Sequence, residues 1–190
     1  FFKAPLTVNS RYGSFSAKDL QHIDNDIEIS FGKGNIEKMN CGKLNAQYSN
    51  MELTQGQNIN IINKFGNLNI GDIADIGADI QYSNASIGLV RGNGKINLSF
   101  SGKFNVKRLA NAGNKMDIHA SYSGVTLPAE STKFDVTVSY GKFNYPKDTN
   151  LTLKPDKSSD LTKHYKGTVG SGSGTAITIT SRFGNVHLQN

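Results

Sequence analysis

The chain has 190 residues, 36% of them hydrophobic, and carries 21 Lys and Arg against 15 Asp and Glu, a net charge of +6. Its longest apolar runs fall far short of the roughly 20 residues a membrane-spanning helix needs, and a single cysteine, Cys41, excludes an internal disulfide. The lysines are scattered, so the positive excess admits contact with acidic glycans, lipid headgroups or nucleic acid but reads first as a solvated surface.

The chain opens FFKAPLTV, with no initiator Met and no basic segment leading into a long apolar run. That suggests a mature or trimmed sequence whose targeting segment has been removed. Glycine is frequent at 20 and proline scarce at 4, which, with recurring β-branched and aromatic residues, suits a regular all-β chain with many turns.

One phrase recurs along the chain: an aromatic followed by Gly or Ser. It falls at Tyr12, Phe31, Tyr48, Phe65, Tyr82, Phe100, Tyr122, Tyr140 and Phe183, at intervals of 19, 17, 17, 17, 18, 22, 18 and 43 residues. Four positions before each aromatic stands an apolar residue, among them Val8, Ile27, Leu44, Ile61, Ile118 and Ile179. Two before it the residue is mostly apolar or small, with Asn63 the exception. These positions share the aromatic's parity, so a strand would point all three to one face and make the aromatics an internal ladder.

After the aromatic, apolar residues resume three and five positions on, as in Met51 and Leu53 or Leu68 and Ile70. A continuous strand would place them at two and four. The Gly or Ser and its successor are therefore expected to form a bend, with the small residue allowing close backbone approach and the following Asn or Gly tolerating positive φ. In SFGKGNI and SFSGKFNV extra residues follow the aromatic, so bulged or longer corners are expected at Phe31 and Phe100.

Two architectures fit. The favoured one is a single-domain all-β parallel β-solenoid over 1–190, with about nine coils of 17–18 residues, equivalent positions stacked about 4.8 Å apart and a ladder about 40 Å long. The alternative is an antiparallel meander of repeated hairpins. Nine recurrences of one residue type at one position favour stacked coils, because stacking gives identical side chains a reason to align. Ile61→Asp or Ile118→Asp should then unfold the chain by placing an unpaired charge in the core. The long interval before Phe183 contains an insertion at about 146–174, read as a hairpin or surface loop, or as capping, before TAITITSRFGNVHL closes the stack.

Catalytic and ligand-binding patterns are sparse. A carbohydrate-active β-helix needs clustered carboxylates, yet no Asp-Asp pair or pectinase-type Gly-His-Gly signature occurs, and Asp72, Asp75 and Asp79 read as solvated surface. His22, His119, His164 and His187 are dispersed; Cys41 reads as a small buried residue; RGNGK, from Arg91 to Lys95, reads as a loop. No catalytic, cofactor or metal residues are assigned, no cofactor is expected, and the binding residues are left unknown.

The register of aromatic, Gly or Ser, and Asn or Gly, as in NKFGNLNIGDIADIGADIQYSNASIG, resembles the DUF4097 family of bacterial adhesin-like proteins. The likeness runs from about Leu6 to Leu188. It implies a toast-rack β-solenoid, export to the periplasm, outer membrane or cell surface, and a non-enzymatic role binding an envelope or host glycan or protein. Nucleic acid is not an expected partner, and the oligomeric state is open. Two other functions are weighed: a polysaccharide-active β-helix enzyme and a purely architectural envelope module.

Overall fold

A computed structural model describes residues 2–110, 113–153 and 161–189. Its strands begin with β1 (Thr7–Arg11), β2 (Ser14–Leu20) and β3 (Asn25–Ser30). Next, β4 (Lys33–Gln47), β5 (Asn50–Lys64) and β6 (Asn67–Gln81) each run 15 residues around a whole coil. They are followed by β7 (Asn84–Val90), β8 (Gly94–Ser99), β9 (Lys103–Leu109), β10 (Lys115–Ser121) and β11 (Val125–Pro128). The last group is β12 (Lys133–Ser139), β13 (Phe143–Asn144), β14 (Asn150–Leu153), β15 (Thr162–Thr168), β16 (Ala176–Arg182) and β17 (Val186–Gln189).

Pairing between coils is parallel, which makes the chain a β-solenoid and not a meander. Each coil has an incoming limb that ends at the aromatic and an outgoing limb that leaves it. On the incoming limb Ile27, Leu44, Ile61, Ala78, Ile96 and Ile118 lie in register and are buried, as the apolar period requires. On the outgoing limb Gly34, Met51, Leu68, Ala85, Phe104 and Val125 form the matching row. Large residues stand beside the small ones in it: Met51 fills the space over Gly34, and Phe104 the space beside Ala85. Complementary sizes keep such a narrow two-limbed core filled without voids.

The aromatics do not join that core. All nine take the left-handed conformation, with φ between 50° and 57°. A left-handed residue turns the chain and throws its own side chain outward, so eight of the rings are 43–71% exposed. The parity change therefore comes from the aromatic itself and not from the Asn or Gly after it. For a residue with a Cβ this conformation costs roughly 1–2 kcal/mol. Stacking offsets it: neighbouring rings lie 4.6–5.1 Å apart and within 17° of parallel, and such pairs contribute about 0.5–1.5 kcal/mol each beyond their burial. Each corner is also tied by its backbone, as where the Phe65 N–H donates to the Gln81 carbonyl at 3.1 Å.

The small residue after the ring meets the expectation of close approach. A Cβ on Gly66 would overlap the Ser49 carbonyl, and one on Gly32 the Gly13 carbonyl. Where Ser stands instead, its hydroxyl bridges coils: Ser83 Oγ accepts from Gly66 N–H at 3.1 Å and donates to the Gln81 carbonyl at 2.7 Å. Phe31 has a regular corner, because Gly34 occupies the Met51 row and Ile36 the Leu53 row. The corner at Phe100 is one residue longer, so that Lys103 aligns with Asn84.

Chain order and spatial order part company near the end. After β10 the chain crosses to β12, and β16 later enters between them, parallel to both. On the other limb β17 lies between β11 and β13. TAITITSRFGNVHL is thus the penultimate coil and does not close the stack. The described part of the 146–174 insertion supplies β15, which runs antiparallel against β12, and β14, which runs antiparallel against β15, and together they cap that end; Lys154–Asp160 lies outside the described residues.

Candidate functional site

The solenoid offers three surfaces: the aromatic rail and the outward faces of the two limbs. Between its two end residues the rail consists of ring edges, since the faces of those rings are covered by their neighbours. In spatial order it reads Tyr12, Phe31, Tyr48, Phe65, Tyr82, Phe100, Tyr122, Phe183, Tyr140. Tyr and Phe alternate without exception, an order that the insertion of Phe183 between Tyr122 and Tyr140 restores. Tyrosine hydroxyls thus recur at every second coil, about 10 Å apart. Arg11 lies 5.1 Å from the Tyr12 ring centroid, and Arg182 lies 5.2 Å from that of Phe183.

Beside the rail, the outgoing limb turns polar residues to solvent at alternate positions. Two positions past each corner stands the row Ser14, Lys33, Asn50, Asn67, Asn84 and Lys103, with Lys103 three past Phe100 because of the longer corner. The next outward row is Ser16, Asn35, Glu52, Asn69, Ser86 and Asn105. From Lys33 to Lys103 in the first row and from Glu52 to Asn105 in the second, they floor a groove of about 720 Å³ across five coils. Asn67 Nδ2 donates to Asn50 Oδ1 at 2.8 Å, which orients both amides along the groove. Lys33 and Lys103 form no ion pair among the described residues, and Glu52 is the single carboxylate in the lining.

The incoming limb carries a smaller depression of about 490 Å³ with Asp26, Asp79, Lys43 and Lys95 in its lining. Asp26 and Asp79 lie on coils three rungs apart, roughly 14 Å, beyond the ~6.5–9.5 Å at which two carboxyl groups flank a scissile glycosidic bond with its water. Among the described residues no group of three or more His, Cys, Asp or Glu is placed to hold a metal ion.

The residues singled out in the sequence are dispersed over the solenoid. Asp72 pairs with Arg91 at 2.6 Å, Asp75 accepts the Asn93 N–H at 2.7 Å, and Asp79 accepts from Asn97 at 2.7 Å. These carboxylates brace neighbouring coils and so do more than coat the surface; Asp72 and Asp75 hold the bend at residues 91–93, and Gly94 and Lys95 of RGNGK begin β8. His187 contacts Asn144 at 3.1 Å, His119 lies 3.5 Å from Asp117, and His164 lies 2.6 Å from Asp135 on the cap. Cys41 is half-buried and not enclosed; it lines a crevice at the far bend with Asp24 and Asn58. Beneath the cap, Phe143, Tyr145 and Tyr165 pack ring against ring, and burial first, then Tyr145, raises the Tyr165 phenol above its usual range.

The groove residues were not singled out in the sequence. Their signal was the Asn at alternate positions after each corner in SNMEL, GNLNI and SNASI, which reads as ordinary solvated strand until the coils are stacked. No family model, curated protein or solved structure matches the chain.

Proposed function

We propose that this protein is a non-catalytic, adhesin-like binding scaffold of the bacterial cell envelope, of the DUF4097 type its sequence resembles, and that it holds a glycan chain in the groove of the outgoing limb. One observation carries the reading. The groove spans five coils and is floored largely by amide and hydroxyl side chains repeated coil after coil, so that one kind of polar group meets one kind of repeating ligand. Linear polysaccharides present hydroxyls in such a series, and asparagine amides both donate to and accept from them. The wide spacing of Asp26 and Asp79 and the lone Glu52 support binding over hydrolysis.

The test is a glycan screen with the intact chain, repeated with Asn67→Trp, which fills the groove floor, and with Asn60→Trp on the opposite limb. Binding that survives Asn60→Trp and is lost in Asn67→Trp supports the reading; absence of any glycan ligand removes it.

A second reading, an architectural module, rests on β1. Among the described residues that strand pairs only with β3, and Tyr12 is 71% exposed at the end of the stack. Sedimentation of the isolated protein as a monomer at high concentration counts against it.

A further inference from the structure

The solenoid has a two-coil rhythm that its single-coil period conceals. Tyrosines mark one phase of the rail and phenylalanines the other. The two groove lysines belong to one phase. Lys33 follows Phe31 and Lys103 follows Phe100, so they lie four rungs apart, roughly 19 Å, with Asn50, Asn67 and Asn84 between them in one row. Glu52 belongs to the other phase, since its coil carries Tyr48.

An extended polysaccharide repeats on the same scale. One pyranose in such a chain is about as long as one coil rise, and alternate sugars turn the same edge toward a surface. We infer that the groove binds a linear, extended polysaccharide whose repeat is one acidic and one neutral sugar, its carboxylates meeting Lys33 and Lys103 with two repeats between them. This inference rests on the glycan-binding reading above and adds the ligand's charge and periodicity. The neutral sugars fall in the phase of Glu52, where a carboxylate accepts from sugar hydroxyls and a second acid would be repelled. The asparagine row spans both phases and binds hydroxyls from either sugar. The alternating tyrosine hydroxyls mark the same two-sugar step along the rim.

The test measures binding of three oligosaccharides of equal length to the intact protein by calorimetry. One is hyaluronan, with alternate uronate and neutral sugars; one is a neutral chito-oligosaccharide; one is an oligoglucuronate charged at every sugar. Hyaluronan is expected to bind tightest and to weaken as salt rises, because exposed charges are screened within about 10 Å at 0.1 M. Lys33→Gln and Lys103→Gln should each weaken it about three- to fivefold, the scale of an exposed ion pair. Lys43→Gln on the opposite limb should leave it unchanged. All three lysines are exposed, so each variant folds.

Equal or tighter binding of the neutral oligosaccharide overturns the inference and leaves the glycan reading standing. Tighter binding of the fully charged oligomer overturns the alternating repeat. Equal competition by single-stranded DNA shows a polyanion surface without sugar recognition. No binding of any sugar overturns both the inference and the reading beneath it.

Discussion

The ring of Phe183 stacks on that of Tyr122 at 4.6 Å, although the Tyr140 corner comes between them in the sequence. Tyr140 stacks on the other face of Phe183 at 4.7 Å. The last coil of the chain therefore wedges into a slot whose two walls were already laid down, and its strands complete both limbs at once.

Removing that wedge should cost more than removing an end ring. Phe183→Ala loses two stacked pairs and should destabilise the protein by about 2 kcal/mol, whereas Tyr12→Ala loses one at an open end and should cost under about 1 kcal/mol. Urea denaturation of both variants checks the order; an equal loss would mean the rail contributes little to stability.

The left-handed corners make a different demand. Phe65→Val should destabilise more than Phe65→Gly, by about 1–2 kcal/mol, because glycine relieves the positive φ that a β-branched residue cannot accept. Greater stability of the valine variant would show that ring loss, and not backbone conformation, controls the corner.

Ser83 bridges two coils. Ser83→Ala leaves the Gly66 N–H without its acceptor in the turn, at a cost of about 1–3 kcal/mol. Thermal unfolding should show this as a drop of about 2–4 °C per kcal/mol for a chain of this size.

Asn63 lies in the core between Ala46 and Ile80, fully buried, and neither Oδ1 nor Nδ2 meets a partner among the described residues. Asn63→Leu, whose side chain has the same branched four-atom skeleton, should stabilise the protein by about 1–2 kcal/mol. An unchanged or lowered melting temperature would show that the amide is satisfied in solution.

Under the cap, the Tyr165 phenol lies above its ordinary 10.0, first through burial and then through Tyr145. The folded state therefore holds this proton more tightly than the unfolded chain does. The stability it contributes is present below about pH 10 and is lost as pH rises through the folded value. Tyr165→Phe should flatten that alkaline fall, as followed by circular dichroism against pH.

Much of the scaffold was legible because each coil carries its own instructions. The period and the inward rows of Ile27, Leu44 and Ile61 follow from the apolar spacing, and the recurrence of one residue type at one position favours a parallel stack over repeated hairpins, which the pairing of the coils decides. The direction of the rings was not legible. In a phrase such as Phe65-Gly66-Asn67 any of three residues can take the positive φ, and glycine and asparagine do so more readily elsewhere. Only stacking against Tyr48 and Tyr82 makes the aromatic the residue that turns, and turning it reverses the face it shows. The groove was hidden for a related reason: Lys33 and Lys103 become neighbours of one row only once the coils are superposed.

The sequence by itself determined the coil: where it bends, which aliphatic rows it buries, and how far apart its copies lie, since these are local matters of parity and spacing. The tertiary structure alone decided the order of the last coils and the alternation of the rail, because a strand with free edges on either side pairs where the slot is open, whatever its place in the chain. The aromatic-Gly phrase thus marks the outer rim of the solenoid, beside the groove proposed to hold its ligand.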